Sequence, residues 1–277
     1  MAKKPTRKIG TLCPWFGGNR TNASIVGSAL QGCAHVSVLF AGGMSELPYV
    51  EAPTIIVNDL HRHAMNLASV VAHPVLRGKL LGELRRKVFH PDELERAQWY
   101  CKACAPDGLN DLGAAISYFV AIWMNRSAQA GTDREFKGNL PIRWNSFGGD
   151  SAVRYRSAVR SMLGFRKPFE RCNCTTMDVF EMLDKLEDGP KKGIYSDAPW
   201  PDAGEIYAHK FDEAKQRELA RRLTMYDKTK VVVRYGDHPL IRELYPEPHW
   251  QWVVFDARTQ NNDMKSEVLI VNRSAFK

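Results

Sequence analysis

Apolar positions along this chain follow two patterns. Val36-Ser37-Val38-Leu39-Phe40 and Thr54-Ile55-Ile56-Val57 are short β-branched runs without strict alternation, ended by Ala41-Gly42-Gly43 and by Asn58-Asp59. Such runs suit strands covered on both faces, as in a parallel α/β sheet. Lys192 to Ser196 and Lys230-Val231-Val232-Val233-Arg234 read the same way, and Trp250 to Phe255 and Glu267 to Val271 read as closing antiparallel strands. Between these runs the period changes. Leu76, Leu80, Leu81 and Leu84 mark an amphipathic helix, and Leu112 to Met124 a more buried one with Ile116, Phe119, Val120 and Trp123 on its apolar side. Ser151 to Leu163 predicts a basic helix, Thr21 to Gln31, Met177 to Leu186, Phe211 to Met225 and Pro239 to Leu244 further ones, and Gly131 to Asp150 a loop or short hairpin. The expected fold is α/β. Residues 1–73 and 164–277 form the two parts of one domain, and 74–163 is a mostly helical insertion.

With 44% hydrophobic and 25% charged residues, the 277-residue chain has the composition of an ordinary globular protein rather than a disordered one. Lys and Arg number 39 against 31 acids, a net +8 that fits a polyanionic partner. The basic start, Met1 to Lys8, is followed by no apolar h-region, and no apolar run reaches the length of a membrane span, so a soluble protein is expected. Cys101-Lys102-Ala103-Cys104 and Cys172-Asn173-Cys174 could supply thiolates to zinc, but their spacings differ and Cys13 and Cys33 are scattered. Reduced thiols and no metal are the expectation.

The chemistry concentrates in Gly193-Ile194-Tyr195-Ser196-Asp197-Ala198-Pro199-Trp200, a strand that ends in an acid, a stiffened turn and a large ring. The order suits gripping a flat, amino-bearing ring at the edge of a sheet. Asp197 can accept one N–H of an exocyclic amine and the Ala198 carbonyl the other. Pro199 fixes its φ and offers no competing donor. Trp200 can stack on the ring, which contributes about 1–3 kcal/mol per base. Elsewhere, Phe40-Ala41-Gly42-Gly43-Met44-Ser45 follows a strand with glycines that admit a ligand close to the backbone. Asp59 ends the next strand, where an acid accepts hydrogen bonds from ribose hydroxyls in nucleotide-binding α/β folds. Pro14-Trp15-Phe16-Gly17-Gly18-Asn19-Arg20 adds a tight turn flanked by aromatics and a cation.

In this order the segments resemble the Dam-like, α-group DNA adenine N6-methyltransferases over nearly the whole chain. Asp197-Ala198-Pro199-Trp200 resembles their Asp-Pro-Pro-Tyr signature, and Trp15 to Arg20 their Lys-Trp-Ala-Gly-Gly-Lys opening. Phe40 to Gly43 resembles the Phe-x-Gly-x-Gly cofactor loop, and Val57-Asn58-Asp59-Leu60 the ribose-binding strand end. Trp123-Met124-Asn125-Arg126 resembles a Leu-Asn-Arg helix, Met177-Asp178-Val179-Phe180 a Gly-Asp-Phe segment, and Glu267 to Asn272 the closing strand. The resemblance implies a Rossmann-like sheet and S-adenosylmethionine held by Trp15, Gly17, Gly18, Arg20, Phe40, Gly42, Gly43, Asp59 and Asp178. It also implies methyl transfer to N6 of an adenine flipped out of double-stranded DNA, in a cytoplasmic, prokaryotic or phage setting. The departures are Ala198 for Pro, Trp200 for Tyr, Asn19 for Lys, and Arg234 where the family has Ser or Asn.

The insertion is the expected DNA reader. Arg126, Lys137, Arg154, Arg156 and Arg160 suit phosphates, and Asn139, Arg143, Trp144 and Asn145 base-edge or wedge contacts. No membrane partner is expected, and the sequence leaves monomer and homodimer both open. Two rival readings stand beside this one: a catalytically silent DNA-binding protein with the same fold, and an amino-methyltransferase acting on RNA or cytosine.

Overall fold

Hydrophobic runs too short to cross a core as helices pair instead into one sheet. The computed structural model describes residues 10–125, 129–144, 150–202, 204, 206–258 and 264–272. Strands β1 (His35–Val38), β2 (Thr54–Asn58), β3 (Cys172–Thr175), β4 (Lys192–Ser196) and β5 (Lys230–Gly236) are parallel. The hairpin β6 (Trp250–Arg258) and β7 (Met264–Asn272) completes a seven-stranded mixed sheet of order β3-β2-β1-β4-β5-β7-β6. β7 runs antiparallel to both of its neighbours, β5 and β6. This α/β architecture is compatible with a Rossmann-like fold.

Register decides where the loops go. Val38 of β1 lies opposite Val57 of β2 and Tyr195 of β4, and Val57 opposite Cys174 of β3, so these strands end level. The segments that leave their C-terminal ends therefore meet along one edge. The crevice outside such an edge, where the strand order reverses, is the expected ligand site of an open α/β sheet.

Helices cover both faces. α2 (Arg62–Ala72), α3 (Pro74–Arg86), α4 (Pro91–Ala103), α5 (Leu112–Trp123), α6 (Ser151–Ser161) and the short α7 (Arg166–Phe169) lie between β2 and β3 in the chain. α1 (Ala23–Ala29) precedes the sheet, and α8 (Val179–Leu183), α9 (Glu213–Leu223) and α10 (Pro239–Leu244) follow β3, β4 and β5. Caps set several starts. His73-Pro74, His90-Pro91 and His238-Pro239 each place a histidine whose Nδ1 accepts a backbone N–H before a proline that needs no partner. Asp111, Asp150 and Asp212 cap α5, α6 and α9 in the usual carboxylate manner.

The insertion packs on the sheet without a core of its own. Leu80, Leu84, Ala97, Phe119 and Tyr155 belong to one continuous buried cluster with Val36, Val38, Ile55 and Val57. The opposite face packs Ile194, Val231, Val233 and Ile270 against Leu219 and Leu223 of α9. The expected elements appear within a few residues, one helix shortening, but several observed ones had no expected counterpart, α2 and α7 among them. The helix expected over Met177–Leu186 shortens to Val179–Leu183, because Asp178 caps it late by accepting the Phe180 N–H at 2.8 Å. The strand Cys172–Thr175 is an addition to the expected elements, since Cys-Asn-Cys-Thr has no apolar run. The helix Pro91–Ala103 is another, although His90-Pro91 announces its start.

Candidate functional site

A cavity of about 330 Å³ opens at the C-terminal edge of the sheet. Each wall comes from a segment that leaves a strand: Phe40, Gly42 and Gly43 after β1, Asp59 after β2, Asp178 after β3, Asp197 and Pro199 after β4. Trp15, Gly17 and Gly18 line it from the N-terminal side, and Tyr207 to Phe211 from the loop before α9. The Tyr207 hydroxyl donates to the Phe16 carbonyl at 3.2 Å and the Ala208 N–H to the Gly131 carbonyl at 3.0 Å, which holds that loop over the opening turn.

The wall is built from tightly held groups. Asp59 accepts the Gly42 N–H at 2.8 Å with one carboxylate oxygen and the His61 N–H at 2.9 Å with the other, so one acid ties the glycine loop to the start of α2. The Trp15 ring meets His61 edge-on at a centroid distance of 5.2 Å and lies against Gly42 and Gly131. Gly131 has φ +86°, and a Cβ there would stand 2.4 Å from the indole, so a side chain at this position is excluded on both counts. The position after Gly42-Gly43 takes a different residue: Met44 adopts φ +58° with its side chain fully buried. His61 is buried against Glu135 at 2.7 Å, and its Nδ1 accepts the Ala64 N–H.

At the far wall, Asp197 is clamped. Arg234, buried to 2% exposure, donates through one guanidinium nitrogen to both Asp197 oxygens at 3.1 and 2.8 Å and to the Gly17 carbonyl at 3.1 Å. Its other nitrogens donate to Glu267 of β7 at 3.0 and 2.8 Å. The Tyr195 hydroxyl donates to Asp197 at 3.3 Å and accepts from Asn19 Nδ2 at 2.8 Å, which also donates to Glu46 at 3.1 Å. Burial pushes the Asp197 carboxyl above its ordinary value, while the Arg234 guanidinium pulls it down. Burial likewise opposes charge on Arg234, but Asp197 and Glu267 hold it well above the ordinary arginine range. The Arg234 guanidinium also lies 5.3 Å from the Trp200 ring centre, a cation–π contact. Behind the turn, Gln216 Nε2 donates to the Pro199 carbonyl at 2.5 Å and its Oε1 accepts from the Tyr235 hydroxyl at 2.6 Å.

Of the residues expected at a cofactor site, the cavity wall carries Trp15, Gly17, Gly18, Phe40, Gly42, Gly43, Asp59 and Asp178. Arg20 is the correction. It is exposed and outside the wall, because the turn directs Asn19 inward and leaves its neighbour in solvent. Ala198 is buried beneath the wall and Trp200 is half-buried beside Arg234. The insertion residues lie outside the cavity. Lys137 and Asn139 are exposed, Arg143 is half-buried and Trp144 is 89% exposed, on a loop that begins at the cavity with Gly131. Buried Asn125 donates to the Lys137 carbonyl at 3.1 Å, anchoring that loop. Arg156 and Arg160 lie on the exposed side of α6, but Arg154 donates to the Asn125 carbonyl at 2.9 Å and covers Trp123, so it packs the protein's own surface. Arg126 and Asn145 lie outside the described residues.

Cys101 and Cys104 lie at the end of α4 and Cys172 and Cys174 on β3, and no group of metal-ligating side chains forms among the described residues. No described helix is long and apolar enough to cross a membrane. Residues that sequence reasoning missed at the cavity are Glu46, His61, Tyr207, His209 and Lys215. His61 carried a readable signal, as the cap that follows the strand-end acid. The others had none. No protein-family model matches the chain, and no curated protein matches it.

Proposed function

We propose that the protein is an S-adenosylmethionine-dependent amino-methyltransferase acting on N6 of adenine in DNA, with a methyltransferase-type Rossmann sheet. One observation carries this reading: the order of the wall residues along the sheet edge. Following strands β3, β2, β1 and β4 come Asp178, Asp59, the Gly42-Gly43 loop and Asp197. That is the order of adenine, ribose, amino-acid end and target amine in a cofactor laid across the edge. Two strand spacings of about 4.8 Å, about 10 Å in all, separate the adenine end from the amino-acid end, and a third leads on to the target amine.

The residues fit the group. Asp59 and Asp178 offer acceptors, the glycines admit close approach, and Phe40 gives an apolar flank. When bound, the cofactor supplies an electrophilic methyl. Asp197 would accept one amine proton, since Oδ1 carries one hydrogen bond from Arg234 and a carboxylate oxygen has a second lone-pair site. Ala198 would accept the other through its carbonyl. Arg234 and Tyr195 fix the carboxylate before the base arrives, so little reorganisation is required as positive charge develops on the nitrogen. Trp200 would support the ring, and the exposed Trp144 loop with Arg156 and Arg160 would meet DNA.

The Arg234 clamp also favours a second reading, a silent relative that binds DNA without turnover, because the acceptor carboxylate is already paired. Incubation of unmethylated DNA with labelled S-adenosylmethionine, followed by nucleoside analysis, separates the two. The expected product is N6-methyladenine, absent with Asp197→Asn. Methylcytosine would overturn the adenine assignment. Cofactor and DNA binding without any product would leave the silent reading.

A further inference from the structure

Among the described residues, Glu46 is the one acid of the cavity wall with a carboxylate oxygen that the fold buries without a hydrogen-bond partner. It is 2% exposed yet lines the cavity, directly after the Gly42-Gly43 loop. Oε2 accepts from Asn19 Nδ2 at 3.1 Å, whereas Oε1 is buried with no hydrogen-bond partner among the described residues. A buried carboxylate oxygen left unmatched is costly, and a native site retains one where a ligand completes it. The groups facing Glu46 narrow the ligand class. They are Asp197 on the β4 turn, Arg234 on β5, the Tyr195 hydroxyl and the Cys172 thiol on β3. Arg234 is already shared between Asp197 and Glu267, so this end of the cavity lacks positive charge.

We propose that Glu46 receives the α-ammonium of the cofactor's amino-acid end through Oε1, and so selects a tail that carries an ammonium. The assignment rests on the cofactor reading above. Burial pushes the Glu46 carboxyl up to about 7 and the Asp197 charge adds to this, while its own backbone N–H, Asn19 and Arg234 oppose. In the free protein below that pH the carboxyl holds a proton. Arrival of the ammonium ionises it, and the proton leaves to solvent. Affinity for the tail therefore rises with pH across this range.

Calorimetry on wild type and Glu46→Gln with S-adenosylmethionine, S-adenosylhomocysteine and 5′-methylthioadenosine tests this. The third ligand has the nucleoside but not the amino acid. The substitution should weaken the first two roughly ten- to a hundredfold, as for loss of a hydrogen bond to a charged group. Binding of 5′-methylthioadenosine should stay unchanged, which also shows the variant is folded. The wild-type rise in affinity from about pH 5.5 to about 7, below the range where the ligand's own amine titrates, should vanish in Glu46→Gln. Equal S-adenosylmethionine binding by both proteins overturns the assignment, as does a parallel loss for all three ligands. If wild type binds none of them, the cofactor reading itself fails, and the assignment with it.

Discussion

Replacing Arg234 by methionine is the sharpest perturbation of this molecule. Methionine retains much of the packing volume but removes the guanidinium that holds Asp197 and Glu267, whose side chains are only 17% and 13% exposed. Removing one partner of a buried ion pair costs about 3–5 kcal/mol, because the remaining charge is left uncompensated. Here two carboxylates are left, with only the Tyr195 hydroxyl and Asn22 Nδ2 donating to them among the described residues. With an m-value of about 3 kcal/mol per M urea, the midpoint should fall by about 1–1.7 M at neutral pH. The pH dependence has a definite sign. Burial already holds the Asp197 carboxyl above its unfolded value, and loss of the guanidinium that opposes this raises it further. The stability it contributes is complete below that unfolded value, near pH 4, and is lost as pH rises through the raised folded value. The deficit of Arg234→Met relative to wild type should therefore shrink between pH 7 and about 4.5. Adding Glu267→Gln should recover part of it at pH 7. Urea titrations of the two variants and wild type at both pH values read this directly. A neutral-pH loss under about 1 kcal/mol, or a deficit independent of pH, would refute the clamp as the organising contact of this wall.

Three further outcomes follow from the same geometry. Asp59→Ala removes the acceptor shared by Gly42 and His61, so calorimetric affinity for S-adenosylmethionine should fall by about 1–3 kcal/mol, and unchanged affinity would remove Asp59 from the site. Trp200→Tyr should keep methyl transfer while Trp200→Ala loses most of it, and the alanine variant should also melt lower, because Arg234 loses its aromatic cover. Charge reversal of Arg156 and Arg160 together should flatten the dependence of DNA affinity on log[salt] by about 0.9 for each phosphate no longer neutralised, leaving cofactor affinity alone. Arg154 is kept out of that test because it supports Asn125 and Trp123.

The sheet was legible where side chains reported burial directly. Val231-Val232-Val233 and Ile55-Ile56-Val57 are apolar because both faces of the sheet are covered. β3 was not legible, since an edge strand of Cys-Asn-Cys-Thr is specified by its pairing with β2 rather than by its own pattern. Along the site, glycines and strand-end acids stood out because backbone geometry and ligand chemistry restrict them locally. Arg234 reads in sequence as a polar break in a strand. Its burial depends on counter-charges 37 and 33 residues away, and no local window contains them. The inward turn of Asn19 rather than Arg20 is a matter of one residue's phase in a loop, which periodicity cannot resolve. Glu46 follows a loop in which acids are ordinarily solvated, and only the closure of that loop against β4 and the opening turn buries it.

The reversed strand β7 makes the order of assembly a property of the site. Glu267 lies on β7, the last strand described, which inserts between β5 and β6 by pairing with both. While the chain is being synthesised, Asp197 and Arg234 emerge before Glu267, and β5 presents an open edge until the final hairpin arrives. The clamp on Asp197 thus draws its last member from the β6–β7 hairpin, which follows the other wall segments along the sequence. Hydrogen exchange during refolding should follow that order, with the β5 amides that bond to β7 gaining protection only together with β7. Pairing of β7 with β5 is what brings Glu267 to Arg234 and so fixes the guanidinium that holds the carboxylate turn.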